Sequence, residues 1–206
     1  MDPDLVAPIP LTPLKTILVR HGATAWSRSG RHTGRTDLPL LPEGETDAVR
    51  LRSKLSDTLK GAAPGAVLSS PLERARETCR LSGFDAEACY DEDLLEWDYG
   101  DYEGLTTDQI RVERPGWDLF RDGCPGGENV EDVARRVGRV INRLRSMPHL
   151  SRSMVLVFAH GHLLRVFAAV WAGFGPEKGR ALPFETGAIG QLGWVREAPA
   201  LERWNL

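Results

Sequence analysis

The stretch Thr16-Ile17-Leu18-Val19-Arg20-His21-Gly22-Ala23-Thr24-Ala25-Trp26 decides the fold. Three apolar β-formers, Ile17, Leu18 and Val19, run directly into a basic residue, an imidazole and a glycine, the pattern of a buried strand opening into a loop that carries chemistry. Open α/β sheets collect their ligands at such strand ends. A second apolar run, Val155 to Ala159, ends the same way in His160-Gly161, so two strands deliver a histidine and a glycine to one edge of the sheet. Two histidines with neighbouring arginines suit a doubly charged anion.

Outward from these strands the chain alternates between helical and extended patterns. After strand one, residues 23–42 form a long polar loop rich in Gly, Thr, Ser and Pro, and loops of that size are usually functional. Pro42 opens a helix with Ala48, Leu51, Leu55 and Leu59 at helical spacing. Ala66 to Ser70 reads as a strand, and Pro71 starts the next helix with Arg74 in its first turn, near the positive end of the helix dipole. Taken alone, Arg74 would equally suit a surface residue paired with Glu73 or Glu77. Residues 86–95 read as a strand leading into Leu95-Glu96-Trp97-Asp98-Tyr99-Gly100-Asp101-Tyr102-Glu103-Gly104, where aromatic rings alternate with carboxylates.

A helix near Thr106 to Glu113 follows. The longest amphipathic helix comes next, its stripe formed by Val130, Val133, Ala134, Val137, Val140, Ile141 and Leu144. Arg135, Arg136, Arg139 and Arg143 lie off that stripe and are expected on a solvated face. A helix over 163–171 packs behind the second histidine strand, and 187–195 and 200–205 are closing strands open to an antiparallel arrangement. These elements predict a single α/β domain over residues 1–206. It is a three-layer sandwich, a mostly parallel central sheet with helices on both faces, and residues 1–15 form an extended N-terminal arm.

Composition narrows the class. With 206 residues, 41% hydrophobic and 27% charged, the chain is long enough to bury a core, and its net charge of −3 speaks against bulk binding to nucleic acid or a membrane surface. No run approaches the roughly 18 apolar residues of a membrane span, and the first fifteen residues lack the basic start and apolar centre of a signal peptide. Cys79, Cys89 and Cys124 have no paired spacing, which argues against a zinc site or disulfide framework and for a reducing, cytoplasmic setting. Cys79 and Cys89 read as core thiols, and Cys124 lies in a glycine- and proline-rich loop facing solvent. A sheet with an exposed edge is compatible with a homodimer, a point the sequence does not decide.

Four motifs in order, Arg20-His21-Gly22, Ser70-Pro71-Leu72-Glu73-Arg74-Ala75, Glu96 ahead of Tyr99-Gly100, and Ala159-His160-Gly161, resemble the histidine phosphatase superfamily, the phosphoglycerate-mutase-like fold. The likeness spans residues 16 to about 195. Within the superfamily the text is most similar to yeast-type sedoheptulose-1,7-bisphosphatases and actinobacterial mutase-like acid phosphatases, through Thr33-Gly34, Thr36-Asp37-Leu38-Pro39-Leu40, Glu96 to Gly104 and Phe158-Ala159-His160-Gly161-His162. The yeast-type enzymes extend further at the C-terminus.

The resemblance implies a phosphomonoesterase acting on a small sugar phosphate or bisphosphate. His21 would be the nucleophile, Arg20, Arg74 and His160 the holders of the phosphoryl oxygens, and Glu96 the general acid and base. Such an acid needs a raised pKa, and Trp97, Tyr99 and Asp98 beside it are candidates to supply desolvation and like-charge repulsion. From the residues alone, Glu96 would equally be a rim carboxylate. Ser27, Thr33, Gly34, Tyr99, Gly161 and His162 match positions around the substrate, while Arg31 and Arg35 could reach a second phosphate or simply face solvent. His162 departs from the asparagine usual in the mutases.

No metal or cofactor is implied: arginine and histidine supply the charge, and His160-Gly161-His162 lacks the companions of a metal motif. The expected partner is a small phosphorylated metabolite. A cofactor-dependent phosphoglycerate mutase is the enzymatic alternative, disfavoured by the short segment between Glu96 and His160, which leaves no room for the mutases' lid insertion. A non-catalytic protein that binds a phosphorylated ligand is the alternative of another class.

Overall fold

The computed structural model describes residues 14–150 and 153–206. The expected N-terminal arm lies outside the described residues apart from its last two positions. In chain order the elements are β1 (Lys15–Arg20), α1 (Ala25–Ser29), α2 (Pro42–Leu59), β2 (Ala66–Ser69), α3 (Glu73–Leu81), β3 (Ala88–Tyr90), α4 (Thr107–Glu113), α5 (Leu119–Asp122), α6 (Val130–Arg145), β4 (Met154–Ala159), α7 (Gly161–Trp171), β5 (Ile189–Val195) and β6 (Ala198–Arg203).

The six strands form one sheet in the order β3-β2-β4-β1-β5-β6. β3, β2, β4 and β1 are mutually parallel, as the strand-and-helix alternation predicts, and β5 and β6 close the sheet with antiparallel pairings, an arrangement the sequence left open. Side chains alternate between the faces of a strand, and this sorts the core into two clusters. Ile17 and Val19 join Leu156 and Phe158 under α2 and α3, with Leu51, Leu55, Leu59 and Cys79. Leu18 joins Val155, Val157 and Ala159 under α6 and α7, with Val133, Val137, Leu163 and Phe167. Every β1 and β4 face is thus covered, which is why both strands read as unbroken apolar runs.

Three expectations change. The strand expected over 86–95 is only three residues long, flanked by 3₁₀ turns at Asp85–Glu87 and Glu92–Leu94, because it lies on the sheet edge and the Asp91 carboxylate accepts the Asp93 N–H to turn the chain. On that edge Cys89 is exposed rather than a core thiol, while Cys79 is buried as expected and Cys124 is half-buried.

The third correction concerns α6. Asn129 and Asp132 form a reciprocal capping box at its start, and the expected stripe is buried. Arg136, however, is 6% exposed: it pairs with Glu128 at 2.8 Å and donates to the carbonyls of Asp93 and Leu95. Arg139 and Arg143 reach Asp93 and Asp91. Arg135, Arg139 and Arg143 are exposed as expected, so the correction is confined to Arg136, which with Arg139 and Arg143 straps the segment that leads to Glu96.

Candidate active site

The parallel register of β1 and β4 sets the site. Arg20 lies opposite Ala159, so His21 and His160 leave the sheet side by side, with ring centroids 5.2 Å apart and the His21 N–H donating to the Ala159 carbonyl at 3.1 Å. β2 pairs with β4 so that Ser69 faces Phe158, and Ser70 emerges next to His160.

His21 is buried, and its Nδ1–H donates to the Gly22 carbonyl 2.8 Å away, which leaves the Nε2 lone pair for chemistry. Burial, followed by the charges of Arg74 and Arg20, holds the imidazole well below its usual pKa, against a smaller opposing effect of the Gly22 carbonyl. A Cβ on Gly22 would meet the Gly44 backbone at the start of α2, so only glycine lets the loop pass there.

Arg74 is fully buried one residue into α3. Its Nε–H donates to His160 Nδ1 at 3.1 Å, Nη1 donates to the Thr36 carbonyl at 2.9 Å, and Nη2 donates to the carbonyls of Gly34 at 2.9 Å and Thr33 at 3.2 Å. With Nδ1 accepting, the His160 proton is on Nε2, where it donates to Ser70 Oγ at 2.8 Å. Burial and then the Arg74 charge keep His160 neutral too. Arg74 thus does more than face the site: it joins the 33–36 loop to the second histidine.

Arg20 donates through Nη1 to the Phe184 carbonyl, and its buried Nε has no hydrogen-bond partner. A Cβ on Gly161 would come within 3.0 Å of its guanidinium carbon, so that glycine gives the arginine its seat.

Glu96 is 4% exposed and sits at the amino end of α7. Its Oε1 accepts the N–H groups of Trp97 at 2.8 Å and Leu163 at 2.9 Å, and its Oε2 accepts only the His162 N–H at 3.1 Å. Helix N-termini present unpaired N–H groups, so this is a fitted berth for a carboxylate. The surroundings differ from expectation. The Trp97 ring packs into the core against Phe120, and Asp98 turns to the Gly100 N–H and to Arg35, 3.5 Å away.

Beside Glu96, the Tyr99 hydroxyl is 2.6 Å from His162 Nδ1, and the His32 ring lies 4.7 Å from the Tyr99 ring and 6.0 Å from that of His162. Burial pushes the Tyr99 phenol well up and His162 well down, and it takes His32 to about 4, so this wall is uncharged at neutral pH. Gly34 lies against Glu103, and Thr33 gives its carbonyl to Arg74. Ser27 instead spends its hydroxyl on Thr24 in the cap of α1, Arg31 is exposed and donates to the Gly104 carbonyl, and Arg35 pairs with Asp98. Ser70, His32 and Glu103 were not singled out from sequence, although Ser70 and Glu103 lie inside motifs quoted above and His32 lies in the 23–42 loop. Among the described residues no three His, Cys, Asp or Glu side chains are placed to hold a metal, and both ring nitrogens of His160 are engaged within the protein.

Comparison with known proteins identifies the family. The sequence profile of the Histidine phosphatase superfamily (branch 1) matches residues 16–206. The chain is 40% identical over 193 residues to the sedoheptulose 1,7-bisphosphatase of Saccharomyces cerevisiae, covering 82% of this chain and 70% of the relative. It is 38% identical over 180 residues to an acid phosphatase of Mycobacterium tuberculosis, covering 87% and 86% of the two chains. The solved structure of an open-reading-frame product of Mycobacterium tuberculosis superimposes with a TM-score of 0.87 at 34% identity, covering 94% and 97%. A match over nearly the whole sequence, with a fold that brings the two strand-end histidines together, makes this chain a member of the histidine phosphatase superfamily, branch 1, and a phosphoric monoester hydrolase.

Proposed function

We propose that the enzyme hydrolyses a small sugar phosphate or bisphosphate through a phosphohistidine on His21, with Glu96 as general acid and base. The observation that carries this reading is the state of His21: an imidazole kept neutral by burial and by the charges of Arg74 and Arg20, its Nδ1 tied to Gly22 and its Nε2 lone pair uncommitted. The Nε2 lone pair attacks phosphorus while the bond to the sugar oxygen breaks, and a proton on Glu96 passes to the departing alkoxide. Glu96 then takes a proton from water, whose oxygen attacks phosphorus, breaks the P–N bond and returns neutral His21 and inorganic phosphate. Oε2 is the oxygen suited to this traffic, because it accepts one backbone N–H and Oε1 accepts two. Arg20, Arg74 and His160 are assigned to the phosphoryl oxygens, and Arg20 has the most uncommitted donors of the three.

The uncharged wall of Tyr99, His162 and His32 favours a polyol over a second charged group next to the leaving oxygen, since aromatic faces and neutral donor-acceptor pairs suit sugar carbons and hydroxyls. The activity named for the yeast relative points the same way. Metal independence and a cytoplasmic location belong to this reading, the latter supported by three free thiols. The test is phosphate release from a panel of sugar mono- and bisphosphates with and without a chelator, with 3-phosphoglycerate included and its isomers monitored. Rapid release from a sugar phosphate in chelator is the expected result. Isomerisation without release would identify a mutase, and inactivity on the whole panel would sink the metabolite reading.

A further inference from the structure

The loop 33–36 is gripped along both of its hydrogen-bonding edges by opposite charges. On one edge the carbonyls of Thr33, Gly34 and Thr36 all accept from the Arg74 guanidinium. On the other, the Glu103 carboxylate accepts the Gly34 N–H at 2.9 Å and 3.0 Å and the Thr36 N–H at 3.1 Å. The fit is close: a Cβ on Gly34 would lie 2.6 Å from Glu103 Oε2 and 2.6 Å from the Trp97 carbonyl. The loop then ends in Asp37, whose carboxylate accepts the Glu73 N–H at the start of α3. Arg74 closes the circuit by donating to His160.

A buried guanidinium has no solvent to orient it, so its direction is set by its acceptors. Three of those acceptors are carbonyls of an irregular loop, beside His160 Nδ1 and the Asp37 carboxylate 3.8 Å away, and Glu103 holds the loop on its far side. We propose that Glu103 is a positioning residue for the phosphoryl site, aiming Arg74 and, through it, the His160 ring by holding the Gly34 and Thr36 amides. The inference rests on the assignment of Arg74 to the phosphoryl group. A carboxylate offers only acceptors, and both of its oxygens face the loop. Gln can keep its oxygen at the Oε1 position, which serves both amides, but then sets an NH2 donor at the Oε2 position against the Gly34 N–H.

The test is a double-mutant cycle on the full-length enzyme, read as kcat, KM and melting temperature with an aryl phosphate as substrate. Glu103→Gln is expected to lower kcat/KM about 10- to 100-fold, in line with the usual cost of losing an orienting partner. Arg74→Ala is expected to cost more, and the double variant no more than Arg74→Ala alone. Glu103→Asp, which keeps both acceptors on a shorter stem, should recover part of the loss and serves as the cycle partner if the Gln variant does not fold. Losses that multiply in the double variant, or full activity in Glu103→Gln, would overturn the inference and leave the Arg74 assignment standing. Full activity in Arg74→Ala would overturn that assignment, and the inference with it.

Discussion

Glu96 and Leu163 are joined by a 2.9 Å hydrogen bond from the α7 backbone to the carboxylate, so the helix that follows His160 also berths the candidate acid. One element therefore sets the positions of both the group proposed to hold the phosphoryl oxygens and the group proposed to protonate the leaving oxygen.

Replacing Glu96 by Gln keeps an acceptor for the α7 amides and removes the transferable proton. Turnover of sugar phosphates, whose alkoxide leaves poorly, is expected to fall about 10²- to 10⁴-fold, with a much smaller loss on activated aryl phosphates. Equal losses on the two substrate types, measured side by side, would argue that the residue serves only to anchor α7.

His21→Ala is expected to abolish turnover while leaving the melting temperature near that of the parent. In the parent enzyme the depressed His21 pKa has a signed consequence: the nucleophile stays neutral as pH falls through 6.5, and kcat/KM should decline only at more acidic values. A pH profile whose acid limb is centred at or above 6.5 would contradict the neutral-nucleophile account.

His32 links the same wall to stability. Its folded pKa of about 4 lies below the unfolded value of 6.5, so the neutral ring contributes fully above pH 6.5, and that contribution disappears as pH falls towards 4. The contribution is on the order of 3 to 4 kcal/mol at ~1.4 kcal/mol per pH unit. His32→Asn should flatten the fall in denaturation free energy between those pH values, and an unchanged slope in urea titrations would count against it.

The thiols should separate sharply. Burial pushes Cys79 and Cys124 up to about 12, and Cys89 is exposed on an edge strand. Native enzyme is expected to take up one equivalent of alkylating reagent quickly, at Cys89, as mapped by peptide mass analysis. Fast labelling at Cys79 would mean that α3 opens readily.

What could be read from the sequence divides along a physical line. The strands ending in His21 and His160 were legible because a covered parallel strand must be apolar at every position, and the break into Arg-His-Gly is abrupt. The stripe of α6 followed from periodicity in the same way, and two closing strands were legible, although their antiparallel direction comes from the pairing itself. Arg136 was not legible: helical spacing puts it beside the apolar stripe, and only its partners, Glu128 and the carbonyls of Asp93 and Leu95, make burial tolerable. The berth of Glu96 was hidden for a similar reason, since α7 begins at Gly161, two residues earlier than its apolar pattern implies, and supplies main-chain donors that no side-chain motif announces. The engagement of Arg74 with three loop carbonyls was equally out of reach, because carbonyls are common to every residue.

The pairing of Arg20 with Ala159 has a consequence for how such an enzyme can change. Sliding β1 by one residue along β4 would turn Ile17, Leu18 and Val19 to the wrong layers, so the sorting of methyl groups between two cores also acts as the gauge that spaces the two imidazoles. The spacing of the two imidazoles is thus set by oil, while the direction of each ring is set by its own polar partners, Gly22 for His21 and Arg74 with Ser70 for His160. Changes in side chains that stand off β1 and β4, such as Tyr99 and His162, would leave that spacing in place.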